Sequence, residues 1–305
     1  MSRLSNQTGR AGCTLLAYYW LGCLGGAQAQ PVMELQKFAA APALADYVEH
    51  YWVMEDEATP EAPVMHAVLP ATIQSAIVVF GEPYQTITFD GREIRDIHQG
   101  LVLGRVTTKR LYLRQTGRVG VFGVRFCPTG FYNLFGVPMQ HATDTTLELD
   151  SAAGQFGREL TRRVMEADSH AARVQVAEEL LLRQLSKVHP RLDAIDFVAS
   201  SIVRQNGLVS MDGLLHTANL GVRQLERRFL AKVGTSPKLY AQIARFGHVF
   251  KLLKNEPRAE WVDVAYRCGY YDQAHLIREF RRFTGETPVA YFSHYDAFAK
   301  FFWAR

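Results

Sequence analysis

The sequence predicts an α+β protein with a β-rich N-terminal half and an all-helical C-terminal half. Between residues 64 and 127, apolar residues alternate with polar ones or form short runs, as is typical of strands. From residue 150 onward they recur at spacings of three and four, as is typical of helices. One thirteen-residue pattern also occurs twice in the helical half. A chain of 305 residues is long enough for two domains with separate cores.

The composition is that of a globular protein. Apolar residues make up 48% and charged residues 21%, which excludes disordered and integral-membrane classes. The net charge of +4 is unevenly distributed. Residues 187–305 contain 18 Lys and Arg against 11 Asp and Glu (+7), whereas residues 1–186 contain 16 against 19 (−3). A polyanionic partner is therefore expected for the C-terminal half only.

Residues 1–32 form a segment that is either signal-like or an over-extended start. An apolar run follows Arg10, and the pattern at residues 27–29 fits a signal-peptidase site. The run is too short and too polar for a membrane span. Met33 opens a segment that is a natural beginning for a cytoplasmic protein. We therefore expect translation to begin there and no attachment to a membrane.

Residues 33–150 are expected to form a sensor or dimerisation domain, built as a small barrel of cupin-like type with flanking helices. Residues 33–55 are predicted to be helical, because five apolar residues recur there at helical spacing. They are Leu44, Tyr47, Val48, Tyr51 and Trp52. Residues 64–127 are predicted to be strands, with a hairpin around Gln115–Arg118 in which Gly117 supplies the turn geometry.

Residues 151–189 are predicted to form a helical connector of two helices. Apolar side chains recur at spacings of three and four in each of them. They are Leu160 and Val164 in the first helix, and Val174, Ala177, Leu180, Leu181 and Leu185 in the second.

Residues 190–300 contain two similar units. The segment LERRFLAKVGTSP begins at Leu225, and its counterpart LIREFRRFTGETP begins at Leu276, 51 residues later. Unit one covers residues 210–237 and unit two covers residues 260–288. Each consists of a short helix, a tight turn and a second helix that ends at a glycine, which is the helix-turn-helix pattern. Three polar residues are expected to cap helices of this half: Ser210, Ser236 and Asp272. Between them, SPKLYAQIARFGHVFKLLKN is predicted to form one long joining helix.

The second helix of each unit presents an apolar face and a charged face. Leu225 and Phe229, and likewise Leu276 and Phe280, are four residues apart and are expected to face the core. Arginine and glutamine on the other face are suited to guanine and adenine edges. Five further basic residues are suited to phosphate contacts: Arg228, Lys232, Lys238, Arg281 and Arg282. A single charged helix face is ordinarily exposed to solvent without a partner, but two matched faces favour a role in DNA binding.

The segments LLHTANLGVRQLERRFLAKVGTSPKLYAQIARF and VDVAYRCGYYDQAHLIREFRRFTGETPVAYF resemble the DNA-binding domain of the AraC/XylS family of bacterial transcription regulators. The resemblance implies that the second helices enter successive major-groove segments about 34 Å apart. It also implies two sets of base-facing residues. These are Arg223, Gln224, Glu226 and Arg227 in unit one, and Gln273, Ala274, His275 and Arg278 in unit two. Ala274 is short for reading a base, so unit two is expected to be the weaker reader or to favour a thymine methyl.

The N-terminal half resembles the β-rich, sensor-like domain of unknown function that often precedes this DNA-binding domain. The resemblance lies in LADYVEHYWVM, LPATIQSAIVVFG and GVRFCPTGFYNLFGVPMQHATD. Together the two resemblances imply a cytoplasmic regulator of promoter DNA. The expected partners are promoter DNA and RNA polymerase, with a small-molecule effector and a homodimer as open alternatives for the N-terminal domain. No cofactor is expected.

An enzymatic alternative remains open: a DNA-binding module fused to a metal-dependent or DNA-repair domain. The sequence lacks the common catalytic motifs. Three histidines and one cysteine of the β-rich half are metal-ligand candidates, although their ordinary role is as surface or hydrogen-bonded residues. They are His66, His98, His141 and Cys127. Cys13, Cys23, Cys127 and Cys268 form no zinc-like spacing, so Cys127 and Cys268 are expected to be buried thiols in a reducing compartment.

Overall fold

A computed structural model describes residues 15–18, 32–59, 63–84, 86–89, 92–94, 99–107 and 111–293. The remainder of the signal-like segment, and His98, lie outside these residues. The predicted α+β class is confirmed, with strands in the N-terminal half and helices in the C-terminal half. Within the described residues, no helix has both the length and the apolar character that crossing a bilayer requires.

The described residues of the N-terminal half form two sheets. Their strands are β1 (Leu15–Tyr18), β2 (Val32–Ala39), β3 (Val48–Ala58), β4 (Val64–Val68), β5 (Ser75–Val79), β6 (Thr86–Phe89), β7 (Arg92–Ile94), β8 (Gly100–Leu103), β9 (Leu111–Gln115), β10 (Gly117–Phe126) and β11 (Thr146–Glu148). The larger sheet has the order β1-β2-β3-β10-β5-β8-β11 and the smaller has the order β4-β9-β6-β7. The pairings among these described strands are antiparallel.

The helix predicted for residues 33–55 is wrong. This segment forms β2 and β3, joined through a 3-10 turn at Pro42–Leu44. Strand β3 lies between β2 and β10 and is covered on both faces: Tyr51 belongs to the main apolar core, whereas Trp52 packs over Gly123. Apolar residues therefore occupy consecutive positions, and the period-two signal of a strand disappears.

The hairpin predicted around Gln115–Arg118 is also wrong. Strand β9 pairs with β4 and β6 in the smaller sheet, whereas β10 pairs with β3 and β5 in the larger one. Gly117 does adopt a positive φ of 77°. This left-handed conformation suits glycine, and it turns the chain from one sheet to the other rather than back along the same sheet.

The helices of residues 127–189 complete the N-terminal core. They are α1 (Gly130–Phe135), α2 (Leu149–Ala153), α3 (Gln155–Glu166) and α4 (His170–Val188). The two helices predicted within residues 151–189 are confirmed as α3 and α4. Leu160 and Leu181 of these helices are fully buried in one cluster with Tyr51 and Phe122 of the sheet. The predicted connector is therefore part of the N-terminal core.

The C-terminal half is helical, as predicted. Its helices are α5 (Ala194–Arg204), α6 (Met211–Ala218), α7 (Val222–Val233), α8 (Pro237–Asn255), α9 (Trp261–Arg267), α10 (Gln273–Thr284) and α11 (Pro288–Ser293). The predicted caps are confirmed: Ser210, Ser236 and Asp272 each accept a backbone hydrogen bond at the start of a helix. Gly234 and Gly285 end α7 and α10 with φ of 89° and 82°, which a glycine adopts readily.

Candidate nucleic-acid interface

Two helix-turn-helix units are present, α6–α7 and α9–α10, and α8 joins them. The second helix of each unit is held by the predicted apolar pair. Leu225 and Phe229 of α7, and Leu276 and Phe280 of α10, have no exposed surface. Because these side chains face inward, the opposite side of each helix faces solvent.

Most of the predicted base-facing residues lie on that exposed side. Arg223, Gln224, Glu226 and Arg227 are exposed on α7, and Gln273, Ala274 and Arg278 are exposed on α10. Arg227 and Arg278 occupy equivalent positions, 51 residues apart. Each unit therefore presents an arginine at the same place on its second helix, available for a bidentate contact with guanine.

His275 differs from its predicted orientation. Its Nδ1 accepts a hydrogen bond from the Tyr271 N–H at 3.4 Å, and its ring packs edge-on against Tyr270 with 5.3 Å between ring centroids. The side chain is half-buried. The imidazole therefore folds back over the turn that precedes α10, and it stabilises this turn instead of projecting outward.

The five predicted phosphate contacts divide into two groups. Lys238, Arg281 and Arg282 are exposed. Lys232 is only 8% exposed, and its Nζ lies 2.9 Å from Asp196 Oδ2, so burial and pairing keep its charge from a phosphate in this structure. Arg228 is half-buried, with Nη2 2.7 Å from an oxygen of Asp193. Lys232 therefore has a structural role and its predicted phosphate contact is wrong, whereas phosphate contact by Arg228 stays a prediction beside its ion pair with Asp193.

Both units fix their second helix with an ion pair at the same position of the repeat. Arg228 of α7 bonds Asp193, which is 35 residues earlier. Its counterpart 51 residues later is Glu279 of α10, which bonds Arg245, 34 residues earlier, with nitrogen–oxygen distances of 2.8–3.2 Å. The contact is the same in kind, but the charges are exchanged between the two partners.

Asp196 joins the N-terminal domain to unit one. Its Oδ1 accepts hydrogen bonds from Thr129 Oγ1 at 2.5 Å and from Asn133 Nδ2 at 2.8 Å, both at α1. Its Oδ2 accepts from Lys232 Nζ in the last turn of α7. Asp196 is only 4% exposed. The carboxylate therefore links α1 directly to the second helix of unit one. Sequence reasoning missed this residue, although an aspartate within the apolar segment DAIDFVA was a signal for it.

Further contacts close the junction between the domains. Thr143 Oγ1 donates to the carbonyl of Gly234 at 2.6 Å, directly at the end of α7. Leu69 and Ala71 of the N-terminal half lie in the same apolar cluster as Phe280 of α10. Unit one is therefore bonded directly to the N-terminal domain, and unit two shares an apolar cluster with it.

Asp193 gives the contact with α7 a pH dependence. Burial raises the pKa of its carboxyl, but bonds from Lys232, the Ile195 amide and Arg228 outweigh burial and lower the pKa below its ordinary value. The stabilisation is therefore complete above about pH 4 and is lost as the pH falls through the folded-state pKa. Asp193→Asn keeps the helix cap but removes the charge. The wild type should have a higher free energy of unfolding in urea than Asp193→Asn at about pH 7. We expect this difference to shrink at about pH 3. An equal advantage at both pH values would contradict this.

The metal-ligand candidates do not form a site among the described residues. No group of three or more His, Cys, Asp or Glu side chains is placed there to hold a metal ion. Cys127 is half-buried and Cys268 is buried, and burial raises the pKa of the Cys268 thiol to about 12.

Comparison with protein families agrees with the geometry. A family model described as a helix-turn-helix domain matches residues 214–302, which include unit two and unit one from Leu214 onward. The C-terminal region is a helix-turn-helix domain of the AraC type. A second model, described as a domain of unknown function (DUF6597), matches residues 36–148, which correspond to the β-rich half.

The AraC-type domain also has curated relatives. It is similar to the HTH-type transcriptional activators RhaS of two Escherichia coli strains, O1:K1 / APEC and O45:K1, with 34% identity over 74 residues in each case. These residues make up 24% of this chain and 26% of each relative, so the match spans about a quarter of their length.

Among solved structures, the chain resembles ToxT from Vibrio cholerae. Apo ToxT K231A is 11% identical, with 87% of this chain and 97% of ToxT covered and a TM-score of 0.43. ToxT bound to (E)-4-(8-methylnaphthalen-1-yl)but-3-enoic acid is 10% identical, with 88% and 99% covered and a TM-score of 0.42.

Proposed function

We propose that this protein is a sequence-specific, DNA-binding transcriptional regulator. The observation that supports it best is the repeated exposed face, with Arg227 and Arg278 at equivalent positions of two second helices. A helix-turn-helix unit reads the major groove with this helix. The two units are suited to successive segments of one duplex, and the surrounding basic residues are suited to its phosphates.

The proposal gives the N-terminal domain a regulatory role without catalysis. Its contacts with α7 and with the core of unit two offer a route by which a small-molecule effector or a protein partner alters the DNA-binding units. The proposed partner is promoter DNA, and RNA polymerase and a second copy of the chain are further proposed partners. The proposed location is the cytoplasm. The activity of RhaS as a transcriptional activator supports the class of function, not a particular effector or promoter.

The contribution of Arg227 to sequence preference distinguishes sequence-specific binding from nonspecific electrostatic attraction between basic residues and DNA phosphates. Arg227→Ala is expected to weaken binding to the preferred duplex by about 1–3 kcal/mol while leaving random duplex nearly unchanged, because a base contact is lost. The measurement is fluorescence anisotropy with duplexes recovered by selection from a random pool. Equal weakening for both kinds of duplex would contradict the assignment.

Arg281→Ala is the matched control. Because Arg281 is assigned to a phosphate, its loss should weaken all duplexes alike and reduce the slope of log affinity against log salt by about one. If the wild type showed no preference for any selected duplex, or no loss of affinity with salt, the proposed function itself would fail.

A further inference from the structure

Two tyrosines stand out on the surface of unit two. Tyr271 is 93% exposed and Tyr266 is 84% exposed, whereas the next most exposed large apolar side chains among the described residues, Val262 and Val289, reach 63%. A tyrosine commonly packs its ring and bonds its hydroxyl. Two exposed rings around one turn are available for contact with a partner outside the chain.

The position of Tyr271 is fixed although its ring is in solvent. It directly precedes Asp272, which caps α10 by accepting a hydrogen bond from the His275 N–H at 2.6 Å. Its own N–H donates to His275 Nδ1. The imidazole thus ties the backbone of Tyr271 to the first turn of α10, and the phenol ring projects from a rigid base.

This position borders the proposed groove-facing surface. In a helix-turn-helix unit, the start of the second helix enters the major groove and the first helix crosses the backbone. Tyr271 lies between these two elements, and Tyr266 lies in the last turn of α9. Both are therefore next to the expected path of the phosphates, where tyrosine hydroxyls are common donors.

We propose that Tyr271 is a DNA-backbone contact of unit two, with its hydroxyl donating a hydrogen bond to a phosphate oxygen. The inference rests on the proposed function and adds a neutral contact to the basic ones. It belongs to unit two alone, because the equivalent position in unit one, 51 residues earlier, is the half-buried Leu220. Unit two, whose Ala274 is short and whose His275 is turned inward, therefore gains its hold on DNA from the backbone more than from base edges.

The salt dependence of binding tests this assignment. Tyr271→Phe removes only the hydroxyl and is expected to weaken binding roughly three- to tenfold, equally for preferred and random duplexes. Because a neutral donor displaces no counterion, the slope of log affinity against log salt should not change. The probes are labelled duplexes of about 30 base pairs, enough for two groove segments one helical turn apart. Arg281→Ala, which should lower the slope, is the matched control.

Three outcomes would overturn the assignment. Unchanged affinity in both Tyr271→Phe and Tyr271→Ala would show that no contact is made. A loss confined to Tyr271→Ala would assign the ring and not the hydroxyl, and a changed sequence preference would assign a base contact. Because the side chain is exposed, both variants should keep the wild-type melting temperature. If the wild type itself failed to bind duplex DNA, the proposed function would fail first, which is a different result from all of these.

Discussion

Replacing Arg245 by alanine is expected to destabilise the C-terminal domain by about 3–5 kcal/mol, because the change leaves a buried carboxylate without its partner. The side chain of Glu279 is only 5% exposed, and both of its oxygens accept hydrogen bonds from Arg245. The guanidinium also lies 4.6 Å from the ring centre of Tyr270, in the turn before α10. Urea unfolding monitored by circular dichroism measures the change.

The chain supplies a matched control for this result. Arg267 and Glu256 form a pair with two short bonds of 2.6 Å, but their side chains are 46% and 49% exposed. Arg267→Ala should therefore have little measurable effect, because water screens the pair. The double variant Arg245→Met with Glu279→Leu should recover most of the lost stability, since no charge remains buried. Equal costs for Arg245→Ala and Arg267→Ala would contradict the role assigned to burial.

The two units show which features could be predicted from the sequence and which could not. The repeated segments predicted the helices, their caps and the glycines that end them, because these depend on residues within one turn of the helix. The local pattern around Arg228 indicated a phosphate contact. It did not reveal the ion pair with Asp193, because that partner is 35 residues away. A basic residue that is solvated and one that is paired across the domain have the same local pattern.

The N-terminal half was harder to predict for a related reason. Periodicity identifies a strand when one face is exposed, but β3 is covered on both faces and was taken for a helix. The turn at Gly117 was identified from its glycine, yet the strands that it joins belong to different sheets. Which sheet a strand enters depends on pairing partners that are distant in sequence, and local turn residues do not encode that choice.

Replacing Asp196 by alanine is expected to weaken the attachment of α7 to the N-terminal domain. Among the described residues, the change leaves the ammonium of Lys232, whose side chain is 10% exposed, with one carboxylate partner, the oxygen of Asp193 at 3.1 Å, and with the ring of Tyr132 at 5.7 Å. It also removes the acceptor shared by Thr129 and Asn133. A loss of about 3–5 kcal/mol is expected, as for other broken buried ion pairs. Urea unfolding followed by tryptophan fluorescence and by circular dichroism measures both the loss and the coupling of the two domains.

The separation of the two unfolding curves is the decisive observation. If Asp196 couples the domains, its alanine variant should unfold in two steps where the wild type unfolds in one, because the helical and β-rich halves no longer stabilise each other. Thr143→Val is the matched control: it removes a neutral hydrogen bond across the same junction, to Gly234, and should cost only about 1 kcal/mol while keeping one transition. A single transition for Asp196→Ala, with a loss no larger than that of Thr143→Val, would show that the junction is held by apolar packing. In that case a signal from the N-terminal domain would have to reach unit two through Leu69 and Ala71, not unit one through Lys232.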